Sequence, residues 1–244
     1  MAFYTDLSDV YDALFPVSDA QRALFDRLLA SGRIRRVADA GCGSGAQLLP
    51  FAAAGAECLG FDPDPALVAR AEAKLAPFPG ARVEIGGFAD VARIVSPPAD
   101  LILCLGNSLV HVPQEEAARF LRDAAGATTG GGEILLQILN YERLLLGRVT
   151  TLPLMQAGEG AIEFRRGYVW EGERQVRFQT VLRISEGGQP RIVRNDIPLY
   201  PIYPDELWDM LERAGFSRIR FFGDFAGSDF STESDALVCR AGIR

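Results

Sequence analysis

Asp39-Ala40-Gly41-Cys42-Gly43-Ser44-Gly45 is the stretch on which the fold turns. It follows a short apolar strand, Arg36–Ala40, and precedes a helix predicted over Ala46–Ala54 and closed by Gly55. Glycines in such a loop let backbone N–H groups come close to a ligand at the mouth of the following helix. The next predicted strand, Glu57–Phe61, ends at Asp62, where a carboxylate suits the two hydroxyls of a ribose. Strand, glycine loop, helix, strand and terminal acid in that order describe a nucleoside-binding α/β unit. Gly41, Gly43 and Ala46 formally satisfy the G-x-G-x-x-G/A pattern of dinucleotide sites. Asp39 argues against a dinucleotide, because it sets a carboxylate where a pyrophosphate would approach. It suits a ligand carrying an ammonium group.

Outward from that loop, strand and helix signals alternate. Upstream, residues 18–31 read as an amphipathic helix with Ser18 or Asp19 as cap and Gly32 as stop. Downstream come a helix over Pro65–Ala76, a strand at Arg82–Ile85 and the near-continuous apolar run Ala99–Leu105, typical of a strand buried on both faces of a parallel sheet. A helix over Glu115–Ala125 and a strand at Glu133–Leu139 follow. After Asn140 the period changes. Residues 161–200 alternate with period two, Val176, Phe178, Thr180, Leu182 and Ile184 on one face and Gln175, Arg177, Gln179 and Arg183 on the other. Pro204–Ala214 returns to helix, and Phe216–Phe222 and Ala236–Arg240 finish as an antiparallel pair. The expected fold is α/β: one domain over residues 1–244, a doubly wound, Rossmann-like seven-stranded sheet with a closing antiparallel hairpin. A small antiparallel β insertion at residues 145–203 would cap its substrate side.

Composition narrows the function classes. The 244 residues carry a net charge of −7, which repels phosphate backbones and argues against a nucleic-acid partner. No apolar run reaches the roughly 18–20 residues of a membrane helix. Asp6, Asp9 and Asp12 stand where a signal peptide would be basic, so a cytoplasmic location is expected. Cys42, Cys58, Cys104 and Cys239 form no CxxC pair, and His111 is the single histidine, so free thiols and no metal site are expected.

The same segments carry a family resemblance. DAGCGSG at 39–45 resembles the first motif of class I S-adenosylmethionine-dependent methyltransferases, and FDPDPALVARAEAKL at 61–75 their second. GGGEILLQI at 130–138 and the closing strands fit as well. CLGNSLVHV at 104–112, Leu139-Asn140-Tyr141 and Gly223-Asp224-Phe225 are similar to glycine N-methyltransferase and its small-molecule relatives. The resemblance implies S-adenosyl-L-methionine as cofactor, with Asp39, Gly41, Cys42 and Gly43 at its methionine end and Asp62 and Pro63 at the ribose. Leu105, Gly106 and Asn107 would lie under the sulfonium, and Tyr11, in the N-terminal segment, would close over it. Many such enzymes bind the adenine amino group with an acid after the third strand. Here the turn reads Gly86-Gly87-Phe88-Ala89 with Asp90 displaced, leaving the backbone and Phe88 for that contact.

Methyl transfer is an in-line displacement at an activated carbon, so alignment and exclusion of water matter more than a catalytic triad. The candidate catalytic residues are Asn107, His111 and Asn140, expected to share one pocket at the ends of two parallel strands. Tyr4, Tyr141, Tyr168, Arg177 and Tyr200 are the candidates for substrate binding, with Arg177 as a fork for a substrate carboxylate and Arg183 and Tyr203 nearby. The expected activity is methylation of a small molecule, an amine of the glycine or sarcosine type, by a monomer or homodimer. Methylation of nucleic acid or protein, or cofactor binding without catalysis in a regulator, are the alternatives.

Overall fold

A computed structural model describes residues 7–185 and 189–243. The described residues open on a 3-10 turn at Ser8–Val10 that runs into a helical turn at Tyr11–Leu14 (α1), followed by a helix at Asp19–Ala30 (α2). Ser18 caps α2 in a capping box with Gln21, each side chain meeting the other's backbone N–H. Then follow β1 (Arg36–Ala40), α3 (Leu49–Ala53), β2 (Glu57–Asp62), α4 (Pro65–Leu75), β3 (Ala81–Ile85), α5 (Val91–Ile94) and β4 (Ala99–Cys104). After these come α6 (Gln114–Gly126), β5 (Thr128–Leu139) and α7 (Tyr141–Leu146). A second group of strands, β6 (Met155–Ala157), β7 (Ile162–Trp170), β8 (Val176–Ile184) and β9 (Arg191–Leu199), precedes α8 (Pro204–Ala214), β10 (Ser217–Phe222) and β11 (Ala236–Gly242).

The main sheet has seven strands in the order β10-β11-β5-β4-β1-β2-β3. Strands β1 to β5 run parallel, while β11 pairs antiparallel with both β5 and β10. Side-chain alternation splits its core into two layers. Val37, Leu101 and Leu103 pack against Phe25, Leu28 and Phe51 on one face. Ala38, Ile102 and Cys104 pack against Phe120, Leu121, Leu207 and Leu211 on the other. This is the doubly wound arrangement that buries both faces of parallel strands. Strands β6-β7-β8-β9 form a separate antiparallel sheet, the switch to period two made visible.

Two expected elements start well away from where the sequence places them, each for a local reason. The helix expected from Ala46 begins only at Leu49. Pro50 has no N–H to give the Ala46 carbonyl and its ring would crowd it, so Pro50 has to sit in the first turn. Strand β5 starts at Thr128 rather than Glu133 because the run Gly130–Gly132 stays in the strand as an irregularity, with Ala99 opposite Thr128 but Leu101 opposite Glu133.

Between the sheets lies the N-terminal segment. Leu7, Val10 and Leu14 are buried against Ile162, Phe164 and Leu182 of the second sheet. Asp12 ties it to the main domain, receiving a hydrogen bond from Ser44 of the glycine loop and an ion pair from Lys74 at 2.6 Å.

Candidate active site

The glycine loop is clamped from below. The N–H groups of Gly41 and Cys42 both donate to the Phe61 carbonyl, at 2.9 and 3.1 Å. Asp62 accepts from Gly43 N at 3.0 Å and from Asp64 N at 2.9 Å, which fixes its carboxylate at the loop. Burial pushes the Asp62 pKa up, against the pull of those two hydrogen bonds. Gly43 has φ +53°, and a Cβ there would meet the Tyr11 hydroxyl at 3.0 Å, so the tyrosine ring rests directly on the loop. Burial, followed by the charge of Asp62, holds the Tyr11 phenol neutral.

Two cavities open beside this loop. The first, about 260 Å³, is lined by Asp62, Pro63, Gly87, Phe88 and Glu116. The second, about 230 Å³, is lined by Cys42, Leu105 and Asn107 from the main domain and by Phe164, Arg166, Tyr168 and Phe178 from the second sheet. Tyr11, Gly41, Gly106 and His111 line both, so these residues form the wall where the cavities meet. Phe88 packs at 4.5 Å on Phe120, which holds its ring in place. Asp90 turns back to accept from Gly87 N at 3.0 Å and pairs with Arg93, leaving the turn backbone and Phe88 at the first cavity.

Asp39 is buried beneath the loop, and its Oδ2 has no hydrogen-bond partner. Burial, and then the charge of Asp62, push its pKa up to about 8. A buried carboxylate oxygen left without a donor is costly, and an ammonium group is the natural complement. Gln47 Oε1, at the second cavity, is a further buried acceptor without a partner. The cysteines are free and buried, and burial lifts the Cys42 and Cys104 thiols well above the range of a reactive thiolate.

Residues 37–132 match the methyltransferase-domain family. The chain is a class I S-adenosylmethionine-dependent methyltransferase. Its cofactor is S-adenosylmethionine, and the orphaned Asp39 oxygen and the close-approach loop are what such a ligand needs. The methyltransferase is 25% identical over 240 residues to glycine/sarcosine N-methyltransferase of Parasynechococcus marenigrum (strain WH8102), covering 91% of this chain and 78% of that one. Its fold is shared by a methyltransferase of Clostridium acetobutylicum ATCC 824 (TM-score 0.81, 12% identity, 99% of both chains). A sugar N-methyltransferase of Streptoalloteichus sp ATCC 53650 shares it too (TM-score 0.67, 20% identity, 100% of this chain and 91% of that one).

The remaining expected site residues divide sharply. Asn107 and His111 reach the second cavity, and Asn140 does not. Asn140 is buried, and its Nδ2 donates to the carbonyls of Ser231, Thr232 and Ser234 at 3.3, 3.2 and 3.0 Å, while its Oδ1 caps α7. Its position at the strand end serves to fasten the loop before β11. Asn107 sits in the left-handed region at φ 66°. Its Oδ1 accepts from Leu139 N at 3.0 Å and its Nδ2 donates to the Tyr141 hydroxyl at 2.9 Å. Tyr141 in turn hydrogen-bonds Tyr168, which lines the second cavity. An amide N–H can only donate, so the Tyr141 proton is left for Tyr168.

Arg177 lies on the outer face of the second sheet, paired with Asp196 at 2.8 Å and away from both cavities. Arg183 shares that face and pairs with Glu163. Tyr200 binds Val110 through its backbone, Tyr203 donates to the Glu173 carbonyl, and neither lines either of the two cavities beside the glycine loop. Tyr4 lies outside the described residues. The sequence reading passed over Arg166, though the alternation Phe164, Arg166, Tyr168, Trp170 puts it among aromatic residues on one face.

Among the described residues no helix is long and apolar enough to cross a membrane.

Proposed function

We propose that this methyltransferase transfers a methyl group to a nitrogen of a small molecule seated in the second cavity, under a cap formed by the second sheet and the N-terminal segment. The observation that carries this reading is the shared wall of Tyr11, Gly41, Gly106 and His111 between the two cavities. In this assignment Asp62, Pro63, Phe88 and the Gly86–Ala89 turn hold the nucleoside, and Asp39 and Gln47 receive the amino group of the methionine end. S-adenosylmethionine supplies a methyl group already activated by its sulfonium leaving group. Tyr11 fits the same place, because an aromatic ring stabilises a cation beside its face.

Nitrogen rather than oxygen follows from the groups around the second cavity. No carboxylate is among the described residues lining it, and burial lowers the His111 pKa to about 4. A hydroxyl would need a base to remove its proton, and neither group supplies a strong one. An amine needs only to arrive neutral, and apolar walls disfavour its ammonium form. Tyr168, held through Tyr141 by Asn107, offers an oxygen that can accept an amine N–H and aim the lone pair. The small, walled cavity also favours a small molecule over a nucleic acid or protein segment.

A panel of small amines, assayed by single turnover with S-adenosylmethionine, tests this directly. N-methylated product is expected, with O-methylation of matched alcohols at least a hundredfold slower. Equal rates for matched alcohols would overturn the assignment to nitrogen.

A further inference from the structure

The second sheet presents an apolar inner face with one polar row across it. On β7 this face carries Phe164, Arg166, Tyr168 and Trp170. The register sets these opposite Leu182, Thr180, Phe178 and Val176 of β8. Thr180 in turn stands opposite Asn195 of β9, between Val193 opposite Leu182 and Ile197 opposite Phe178. Arg166, Thr180 and Asn195 therefore form one transverse line through a face whose other residues are aliphatic or aromatic except for Arg191 at its far end, which pairs with Asp9.

Within that line, hydrogen-bonding capacity is left over. Arg166 Nε is buried without a partner, and so is Thr180 Oγ1. Arg166 donates from Nη2 to the Pro153 carbonyl at 3.1 Å and has its guanidinium 5.9 Å from the Phe164 ring centroid, contacts that orient the fork. It makes no ion pair with any described residue. An unpaired guanidinium held partly out of water is destabilised until an anion meets it, and planar oxyanions match its fork. Arg177 and Arg183, which point outward from this sheet, already have carboxylate partners in Asp196 and Glu163.

We propose that the methyl acceptor carries a single carboxylate on an apolar body, and that Arg166, supported by Thr180 and Asn195, is its anion subsite. This rests on reading the second cavity as the acceptor site. One guanidinium balances one charge. A nucleoside diphosphate would bring further negative charges into a cavity with no second cationic side chain among its described lining residues. Leu152, Phe164, Phe178 and Leu199 line the same space and fit a branched or aromatic body, more than a bare two-carbon acid can fill. The amine nitrogen would then point away from Arg166 toward Gly106 and His111.

The test uses the full chain saturated with S-adenosylhomocysteine and calorimetric titration of phenylacetate, phenylacetamide, acetate and phenyl phosphate. Phenylacetate is expected to bind at least tenfold more tightly than phenylacetamide and than acetate. Arg166→Met should erase the preference for the acid, and Arg166→Lys should keep part of it. S-adenosylhomocysteine affinity should stay within about threefold in both variants, which also shows that they fold. Equal binding of acid and amide by the unaltered chain overturns the proposal, and so does a preference for phenyl phosphate. A tenfold loss of S-adenosylhomocysteine affinity in Arg166→Met, with the acid preference intact, overturns it by assigning the guanidinium to the cofactor's own carboxylate. The two readings fail separately. An Arg166-dependent preference without methylation of any amine sinks N-methylation and leaves the anion subsite. Methylated amines with no acid preference sink the subsite alone.

Discussion

Asp39 should change its protonation state when the cofactor product binds. Its Oδ2 is buried without a partner, and burial together with the Asp62 charge raises its pKa to about 8. At pH 7 about nine molecules in ten of the free enzyme then hold Asp39 protonated. An ammonium group placed against it favours the carboxylate, so the proton must leave. Binding of S-adenosylhomocysteine at pH 7 should therefore release close to one proton, about 0.9 by the same arithmetic. By linkage, affinity should rise nearly tenfold between pH 6 and pH 7, or about 1.4 kcal/mol per pH unit. Calorimetry in buffers of different ionisation enthalpy reads the proton count, and Asp39→Asn should remove both the release and the pH slope. That variant should also bind the ligand about ten- to a hundredfold more weakly, the worth of a charge-assisted hydrogen bond. The sign for the free protein is opposite. A raised carboxyl pKa contributes stability that is full below about 3.8 and is lost as pH rises through about 8. Asp39→Asn should thus raise the melting temperature of the free protein more at pH 8 than at pH 4. Flat affinity from pH 6 to 7 with no proton released would show that Asp39 does not meet an ammonium group as a neutral acid.

Further outcomes follow from the same geometry. Asn140→Ala removes donors to three loop carbonyls, so stability should drop by about 1–3 kcal/mol in denaturant titrations, with the turnover rate of the folded enzyme unchanged. His111 is lowered to about 4 by burial, so its contribution to turnover should be flat from pH 6 to 8 and fall only below about pH 5; a limb centred near 6.5 would mean an exposed imidazole. Gly43→Val brings a side chain into the Tyr11 ring at a positive φ, and S-adenosylhomocysteine affinity should fall at least tenfold by calorimetry, where an unchanged value would detach Tyr11 from the site. Tyr168→Phe should slow methyl transfer on the order of a hundredfold in single turnover without changing cofactor affinity, as expected when only orientation is lost.

The seven-stranded fold was legible because buried parallel strands leave runs such as Ala99–Leu105, and because a helix needs a stop such as Gly215, which ends α8 in the left-handed region. Three strands of the antiparallel sheet were legible from alternation alone, whereas β6 is too short to show a period. Less accessible was anything that depends on which neighbour a polar side chain meets. Asn140 stands at a strand end, where ligands gather, but its amide is consumed by carbonyls ninety residues downstream, a contact no local pattern encodes. Arg177 and Arg166 are both arginines on adjacent strands of one sheet. Only their parity against the aromatic residues separates the one paired with Asp196 outside from the one facing the cavity. Pro50 was a local signal, and it accounts for the late start of α3.

A crystal structure of the chain with S-adenosylhomocysteine bears most directly on the whole assignment. The adenine should lie against Phe88 and the ribose against Asp62, with the amino group within hydrogen-bond reach of Asp39 Oδ2. The sulfur should sit at the wall shared by Gly41, Gly106 and His111, facing the space under Tyr168 and Arg166. A ligand whose sulfur faces away from that space, or whose adenine occupies it, would contradict the site described.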